Sequence, residues 1–292
     1  AAAARGSRRA GAPRAVAVAR NSAASVDFSG KLPVVKLARG DDTAEVYLLG
    51  ACVTSYKTGG TEWLAVRPDA KLDGSKPISG GLPHCFPQFG PGEIQQHGFG
   101  RNLDWKLVGG DASSCVMELT DNEVTRAMWP HSFRVEYKVS LEKDQLATTM
   151  TVKNTGKDDF TFTTALHSYY DVDSVDTCKI TGDFKGASKL DKTQDPPAET
   201  KGEDDTVTIS KFTEEIYNSV LPGKVTLTDP TKGDLAIVSG GGWKDVVIWN
   251  PYGDKNMGAD KFVCVESAVL EAVPVKPDGT WEATMNLVPK AK

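Results

Sequence analysis

From Leu32 onward the chain is dominated by short segments in which apolar and polar residues alternate. In the segment 133–141, "FRVEYKVSL", every second residue is apolar, and the residues between them are Arg, Glu, Lys and Ser. A period of two places successive side chains on opposite faces of an extended chain. The segment therefore predicts an antiparallel strand with one buried face and one solvated face.

About ten further segments are short and rich in β-branched or aromatic residues, which is typical of strands. They are "AEVYLLG", "CVMELT", "LATTMTVKN", "FTFTTALHSYYDV", "DTVTIS", "KVTLTD", "LAIVSG", "DVVIWN", "KFVCVESAVL" and "WEATMNLV". Turn-forming stretches such as "NTGKDD" and "DPTKGD" separate them, and we find no convincing helical period of 12 residues. The pattern predicts an all-β fold, a large antiparallel β-sandwich, formed by one domain over residues 30–290. Residues 195–205 are predicted to be a surface loop inside it.

Composition excludes several classes of protein. The 292 residues carry a formal net charge of -5 and a pI of about 5.5, which argues against a nucleic acid partner. No apolar run reaches the roughly 18 residues that a membrane span requires, so no membrane insertion is expected. The five cysteines are far apart and form no CxxC pair, which argues against a disulfide framework and a structural zinc site. We expect them to be reduced thiols, mostly buried.

The first 26 residues differ from the rest of the chain. They are rich in Ala, Arg and Ser, and no acidic residue occurs before Asp27. This composition favours an organellar transit peptide, for the chloroplast stroma rather than the mitochondrion. The alternative is a disordered basic arm, and in either case we expect no folded structure there.

Only four histidines are present, so each can be considered as a candidate. His131 follows a proline before a strand and is expected to be structural, whereas His84 is ambiguous. Adjacent His84 and Cys85 do not have the spacing of a zinc site, even with His97, so we expect no metal there. His97 lies in a glycine-rich loop with Gln96 and Arg101, a combination suited to binding hydroxyls or anions.

His167 and Glu266 each have two interpretations. His167 follows the strand-like run "FTFTTAL" and is either a hydrogen-bonded structural residue or a catalytic one. Glu266 lies between "FVCV" and "SAVL", where burial of a carboxylate without a partner is unfavourable. It is either part of a buried ion pair or a general base whose pKa is raised by burial.

Several motifs, in order along residues 30–290, resemble the glucose-6-phosphate 1-epimerases, a branch of the aldose 1-epimerase (galactose mutarotase-like) proteins. They are "LGACVTSYK", "GGLPHCFPQFGPG", "QQHGFGRNLDW", "TRAMWPHSF", "TALHSYYDV", "KLDKT", "VIWNP" and "FVCVESA". The resemblance implies an antiparallel β-supersandwich that interconverts the α and β anomers of a sugar without a metal or cofactor. It implies that His167 is the general acid and Glu266 the general base. A monomer that binds only a small sugar or sugar phosphate is expected.

The resemblance also implies a sugar-binding rim that includes Gln96, His97 and Arg101, with Arg101 facing a phosphate. Two departures concern that phosphate. Ser79 stands where family members often have an arginine, and the substrate-binding aspartate of the family corresponds to Glu214, followed by Glu215 instead of an arginine. A glutamate in place of an arginine is expected to repel an anionic substrate. Glucose 6-phosphate is nevertheless the expected substrate. The alternatives are a mutarotase of neutral aldoses and a non-catalytic sugar-phosphate-binding protein of the same fold.

Overall fold

The structure, a computed structural model, describes residues 23–292. Strands account for most of this region, together with one 3₁₀ turn, Gly100–Asn102, and one short α-helix, α1 (Glu123–Met128). Asn122 caps α1 by accepting hydrogen bonds from the N–H groups of Val124 and Thr125. The all-β prediction is confirmed.

The strands fall into three parts of the chain. The first part contains β1 (Val26–Asp27), β2 (Val34–Arg39), β3 (Asp42–Tyr47), β4 (Val53–Thr58), β5 (Thr61–Glu62), β6 (His84–Cys85), β7 (Lys106–Asp111) and β8 (Ser114–Thr120). The second contains β9 (Phe133–Glu142), β10 (Gln145–Asn154), β11 (Phe160–Leu166), β12 (Tyr169–Asp171), β13 (Lys179–Thr181), β14 (Ser188–Asp191), β15 (Ala198–Lys201) and β16 (Thr206–Val207). The third contains β17 (Thr213–Tyr217), β18 (Gly223–Asp229), β19 (Gly233–Gly241), β20 (Asp245–Asn250), β21 (Phe262–Val275) and β22 (Thr280–Ala291).

These strands form three antiparallel sheets. A five-stranded sheet has the order β1-β2-β3-β4-β5, and a nine-stranded sheet has the order β16-β13-β18-β19-β22-β10-β9-β8-β7. An eight-stranded sheet has the order β15-β14-β17-β20-β21-β11-β6, and β12 also pairs with β21. The main hydrophobic core lies between the nine-stranded and eight-stranded sheets, where Val135 and Met285 of one belong to the same buried cluster as Ile248 and Val265 of the other.

Strand β9 follows the predicted alternation. Its apolar residues from Phe133 to Leu141 are buried in the core, and the charged residues Arg134 and Lys138 are exposed. The hydrophobic effect therefore fixes which face of this strand turns inward, because a shift of one residue would bury its charges.

Two boundaries differ from the sequence-based expectation. Ala23 bridges to Asp111, and β1 pairs with β2, so sheet structure begins before residue 30. The predicted loop 195–205 contains β15, which pairs with β14 at the edge of a sheet. The transit-peptide assignment concerns residues 1–26, of which 1–22 lie outside the described residues, and it stays a prediction. Within residues 23–292, no helix is long and apolar enough to cross a membrane.

Candidate active site

Strand β21 separates the hydrophobic core from the candidate site. Val263 and Val265 point into the main core, whereas Cys264 and Glu266 lie on the opposite face of the same strand. This is the direct result of the two-residue period of a strand. The sequence "VCVE" thus places a carboxylate on the outer face of the eight-stranded sheet.

Neighbouring strands add polar and aromatic side chains to the same face. Trp249 of β20 pairs with Cys264 of β21 and with Glu214 of β17, and Tyr169 of β12 pairs with Cys264 from the other side. Residues that are directly opposite one another in antiparallel strands share a face. Trp249, Glu214 and Tyr169 therefore flank Glu266 as a consequence of strand register.

The glycine- and proline-rich loop after β6 covers this face. Its two ends meet at Phe86, whose carbonyl accepts hydrogen bonds from Phe99 and Gly100, each 2.9 Å long. Gly98 has a φ of +69°, and a Cβ at this position would lie 2.1 Å from the Phe86 oxygen, so only glycine fits. His97 also has a positive φ, of 65°, and its N–H is bonded to the Gly90 carbonyl at 2.9 Å. The backbone holds His97 over the sheet.

The loop and the sheet enclose a cavity of about 150 Å³. It is lined by Phe89, Gly90, Pro91, Gln96, His97, His167, Lys192, Glu214, Val247, Trp249 and Glu266. Larger surface depressions exist, including one of about 540 Å³ beside Trp243 and Trp281, so size does not identify the site. Its chemistry does, because an aromatic wall and several converging polar groups are typical of a small-molecule site.

His167 and Glu266 meet at the base of the cavity, with His167 Nδ1 3.4 Å from Glu266 Oε1. The imidazole stacks on Tyr169, with ring centroids 4.9 Å apart and planes 9° apart, and its backbone N–H is bonded to the Pro83 carbonyl. Within residues 23–292, neither His167 Nδ1 nor Glu266 Oε2 has a well-formed hydrogen-bond partner. The two groups are close enough to bind a common ligand while keeping polar atoms free for it.

Burial determines the protonation of this pair. Burial, with smaller contributions from the nearby His97 and Arg101, lowers the pKa of His167 to about 3. Burial also raises the pKa of Glu266 well above its ordinary value, and Glu214 adds to this effect, whereas Lys192 and Arg101 oppose it. Burial therefore favours the neutral form of each group, the imidazole of His167 and the carboxylic acid of Glu266.

His97 is neutral and has a defined tautomer. Its burial lowers its pKa to about 4. Nδ1 accepts a hydrogen bond from the Gly90 N–H at 3.2 Å and lies 3.2 Å from the Cys85 thiol. Because Nδ1 is an acceptor, the single ring proton is on Nε2. His97 can therefore donate a hydrogen bond from Nε2.

Known proteins share the sequence pattern of this chain. The sequence profile of the family described as "Aldose 1-epimerase" matches residues 33–287. The chain belongs to the aldose 1-epimerase family. A relative from Cenchrus ciliaris named "Putative glucose-6-phosphate 1-epimerase" is 30% identical over 282 residues, covering 89% of this chain and 85% of the relative. An Escherichia coli protein with the same name is 31% identical over 243 residues, covering 77% of this chain and 79% of its own.

A solved structure has the same fold. The crystal structure of a "putative mutarotase" from Salmonella typhimurium superposes with a TM-score of 0.80 at 26% identity, covering 92% of this chain and 94% of that chain. The predicted galactose mutarotase-like sandwich is therefore confirmed, and so is membership of the aldose epimerase enzymes.

Three of the substrate-binding residues expected from the family line the cavity, and two do not. Gln96, His97 and Glu214 line it, and Lys192 forms an ion pair with Glu214. Arg101 and Ser79 are not among the described lining residues. The Arg101 guanidinium donates at 3.1 Å to the carbonyl of Gln96, which is a lining residue.

Arg101 is nevertheless close to the pair. Its charge lowers the pKa of both His97 and His167, and it favours the ionised form of Glu266. Among the residues described here, none accepts a hydrogen bond from its buried Nε. An unpartnered, buried guanidinium nitrogen is unfavourable, so Arg101 retains donor capacity for a ligand.

The prediction that Glu215 would repel an anionic substrate was wrong. Glu215 follows Glu214 on β17 and therefore points to the other face of the sheet. Its carboxylate accepts hydrogen bonds from Lys189 at 3.0 Å and from the Tyr217 hydroxyl at 2.8 Å. Its charge is thus compensated away from the cavity.

Sequence reasoning did not identify Lys192 and Trp249 as lining residues. Both lie in family-like motifs, "KLDKT" and "VIWNP", which was the available signal. Lys192 follows β14, and its N–H is bonded to the Glu214 carbonyl at 2.9 Å. Its position at the site depends on the pairing of β14 with β17, which no local pattern predicts.

The other two histidines lie elsewhere. His131 packs against Trp129 and Phe160 with ring centroids 4.7 and 5.5 Å away, in agreement with a structural role. His84 is fully buried, with its ring centroid 5.0 Å from that of Trp105, on the face of β6 opposite Cys85. His84 therefore cannot join Cys85 and His97 in a metal site.

One group of side chains has the spacing of a metal site. Ligand atoms of His167, Cys264 and Glu266 lie within 4.8 Å of one another. Metals bind thiolate and carboxylate, but burial raises the pKa of both Cys264 and Glu266. The protonated forms are favoured, so these residues do not fit a resident metal ion well, and the expectation of a metal-free site stays a prediction.

Proposed function

We propose that this protein interconverts the α and β anomers of a hexose 6-phosphate, with glucose 6-phosphate as the substrate that fits best. The proposal rests on the imidazole and carboxylate of His167 and Glu266, 3.4 Å apart at the base of a cavity in an aldose 1-epimerase chain. Anomer interconversion needs one proton acceptor and one proton donor on a single pyranose, and this pair supplies both.

Each group has a defined role in ring opening. Glu266 removes the proton of the C1 hydroxyl while His167 donates a proton to the ring oxygen. The bond between C1 and the ring oxygen breaks as the C1 carbonyl forms, which yields the open aldehyde. Rotation about the C1–C2 bond then presents the opposite face of the aldehyde to the C5 hydroxyl, and the two residues exchange roles as the ring closes.

The reaction needs a single proton in the pair, because each half-reaction transfers one proton from one residue to the other through the sugar. Burial favours the neutral forms of both residues in the free protein. A C1 hydroxyl donating to Glu266 and a ring oxygen accepting from His167 favour the carboxylate and the imidazolium instead. The substrate thus promotes the protonation state that reacts with it.

The rim positions the sugar. Gln96 and His97 offer donors for hydroxyl groups, and Glu214 offers an acceptor, oriented by its ion pair with Lys192. The unpartnered Nε of Arg101 supports a role for this residue in binding the phosphate. The rigid backbone of the loop reduces the entropy lost when the sugar binds.

Two observations favour a phosphorylated substrate. The relatives from Cenchrus ciliaris and Escherichia coli are named as glucose-6-phosphate 1-epimerases, although each name is marked as putative. Glu215, which would have repelled a phosphate, points away from the cavity. The serine at position 79 is the observation that favours a neutral aldose instead.

A coupled assay tests the proposal. Freshly dissolved α-glucose 6-phosphate and α-glucose are each converted to the β anomer in the presence of an excess of a β-specific dehydrogenase, with and without the protein. We expect strong acceleration with glucose 6-phosphate and much weaker acceleration with glucose. Equal acceleration of both would identify a neutral-aldose mutarotase, and rates equal to the spontaneous rate for every sugar would identify a non-catalytic binding protein.

A further inference from the structure

A second arginine lies directly across the backbone from Ser79. Val66 and Gly80 form an antiparallel bridge, and the Arg67 N–H donates to the Ser79 carbonyl at 3.0 Å. A Cβ at Gly80 would lie 2.4 Å from the Val66 Cα, so the two chains approach as closely as glycine allows. Residues directly opposite in such a pair project to the same side, about 5 Å apart. A side chain at position 67 therefore starts beside the one at position 79.

The Arg67 side chain extends towards the candidate active site. It is only 13% exposed, and its guanidinium lies beside the Tyr169 hydroxyl. Tyr169 in turn stacks on His167. The charge of Arg67 reaches His167, where it helps to lower the pKa of the imidazole, and it also reaches Cys264. One aromatic ring thus separates this guanidinium from the imidazole.

Asp69 orients the guanidinium. Nε and Nη2 of Arg67 donate to the two oxygens of Asp69 at 2.9 and 2.6 Å, and the Asp69 side chain is 41% exposed. A bidentate contact fixes the plane of the guanidinium and uses one of its edges. Nη1 takes no part in this contact, and its two N–H groups can serve the Tyr169 hydroxyl and a second acceptor.

Substrate connectivity places a phosphate on this side of the site. The phosphate is carried by C6, which is attached to C5, and C5 bears the ring oxygen. If His167 contacts the ring oxygen and Glu266 contacts the C1 hydroxyl, the C6 branch lies towards His167. The charges of Arg67 and Arg101 both act on His167.

We propose that Arg67 is the second guanidinium of the phosphate subsite, acts together with Arg101, and supplies from position 67 the cation that is missing at Ser79. This inference rests on the proposed function, because it assigns the substrate class of the same site. It explains how serine can occupy position 79 in a protein with a phosphorylated substrate. Positions 67 and 79 face each other, and an arginine at either one would supply the cation. Arg67 is a specificity-determining residue and takes no part in proton transfer.

Binding of two unreactive analogues tests the assignment. Both 1,5-anhydroglucitol 6-phosphate and 1,5-anhydroglucitol lack the anomeric hydroxyl, so calorimetric titration measures their affinity without turnover. We expect Arg67→Ser to weaken the phosphorylated analogue roughly 10- to 100-fold, the range for a lost charge-assisted hydrogen bond, with less than about twofold change for the neutral one. The double variant Arg67→Ser with Ser79→Arg should recover most of the loss.

Two further variants control the experiment. Arg134 forms an ion pair with Glu136 two residues along the chain, as Arg67 does with Asp69, but on an exposed part of the other large sheet. Arg134→Ser should bind both analogues as the wild type does. Arg67→Lys keeps the charge but loses the two-pronged donor geometry, so it should give an intermediate loss and provides a second result if Arg67→Ser folds poorly.

The outcomes separate this inference from the proposed function. An unchanged preference for the phosphorylated analogue in Arg67→Ser, or an equal loss for both analogues, would overturn the assignment of Arg67. Equal wild-type affinity for the two analogues would overturn it together with the phosphorylated substrate class, even if the protein accelerates glucose anomerisation. A wild-type preference that depends on Arg67, in a protein that accelerates no anomerisation, would support the subsite and refute the catalytic function.

Discussion

Two histidines of this chain, His84 and His167, have similarly lowered pKa values but different surroundings. Burial lowers the pKa of each to about 3. His84 packs between Trp105 and Tyr137 in the main core, and no described residue forms a hydrogen bond with either of its ring nitrogens. His167 lines a cavity and faces a carboxylate. A shifted pKa therefore does not distinguish a catalytic histidine from a structural one, whereas access to a ligand and a proton-sharing partner do.

The largest expected effect comes from Glu266→Gln. Glutamine has the shape of the protonated carboxylic acid that burial favours, so the fold should be preserved, but it cannot accept the C1 proton. We expect catalysed anomerisation to fall by about 10²- to 10⁴-fold, measured as kcat/KM for glucose 6-phosphate. Glu215→Gln is the matched control, because that carboxylate lies on the other face of the same sheet. Wild-type turnover by Glu266→Gln would show that the base lies elsewhere.

His167→Gln should cause a loss of similar or slightly smaller size, about 10²- to 10⁴-fold in kcat, because a side-chain amide cannot donate a proton to the ring oxygen. His84→Phe provides the comparison, since it also removes a buried imidazole and should leave kcat within about threefold of the wild type. Equal losses in the two variants would mean that both act through stability, and the distinction between the two histidines would fail.

The pH profile tests the shared proton. The pair holds one proton between the lowered pKa of His167, about 3, and the raised pKa of Glu266. As the pH falls through the first value the pair gains a second proton, and as it rises through the other it loses its only one, so activity declines at both ends. We expect kcat/KM, corrected for spontaneous anomerisation and phosphate ionisation, to show no acid limb near 6.5. A limb at that ordinary imidazole value would contradict a neutral His167 in the free protein.

The smallest expected effect concerns stability. His84 is neutral when folded, with a pKa of about 3, whereas in the unfolded chain its pKa is about 6.5. The unfolded state therefore binds the proton first, and the free energy of unfolding falls as the pH drops below 6.5. Between pH 6.5 and pH 4.5, the free energy of unfolding measured with urea should fall by about 2 to 3 kcal/mol less in His84→Phe than in the wild type. An identical decline would show that His84 is not held neutral.

The sequence predicted the features that depend on local pattern. The alternation of Phe133 to Leu141 correctly gave a strand with one buried face, because burial of apolar area acts on each residue independently of distant ones. The fold class follows from many such segments. The edge strand β15 was missed, since its residues, Ala198–Lys201, are mostly exposed and have no buried face to produce a pattern.

The composition of the site could be predicted only through the family resemblance. His167 and Glu266 are almost 100 residues apart, and their proximity depends on the pairing of β11 and β12 with β21. The burial of Glu266 among apolar residues was the one local signal of unusual chemistry. No sequence pattern indicated that Arg67 lies opposite Ser79, because backbone pairing brings the two residues together and no motif contains Arg67.

The double variant His167→Gln with Glu266→Gln tests most directly whether the two residues work as one unit. When two groups share a single proton, the losses of activity on replacing each are not additive. Replacing the second group after the first should therefore cause little further loss of activity. With exchange-NMR rates of anomer interconversion for glucose 6-phosphate, we predict that the double variant is no more than a few-fold slower than the slower single variant. Losses that multiply, or one single variant as fast as the wild type, would contradict a proton-sharing pair.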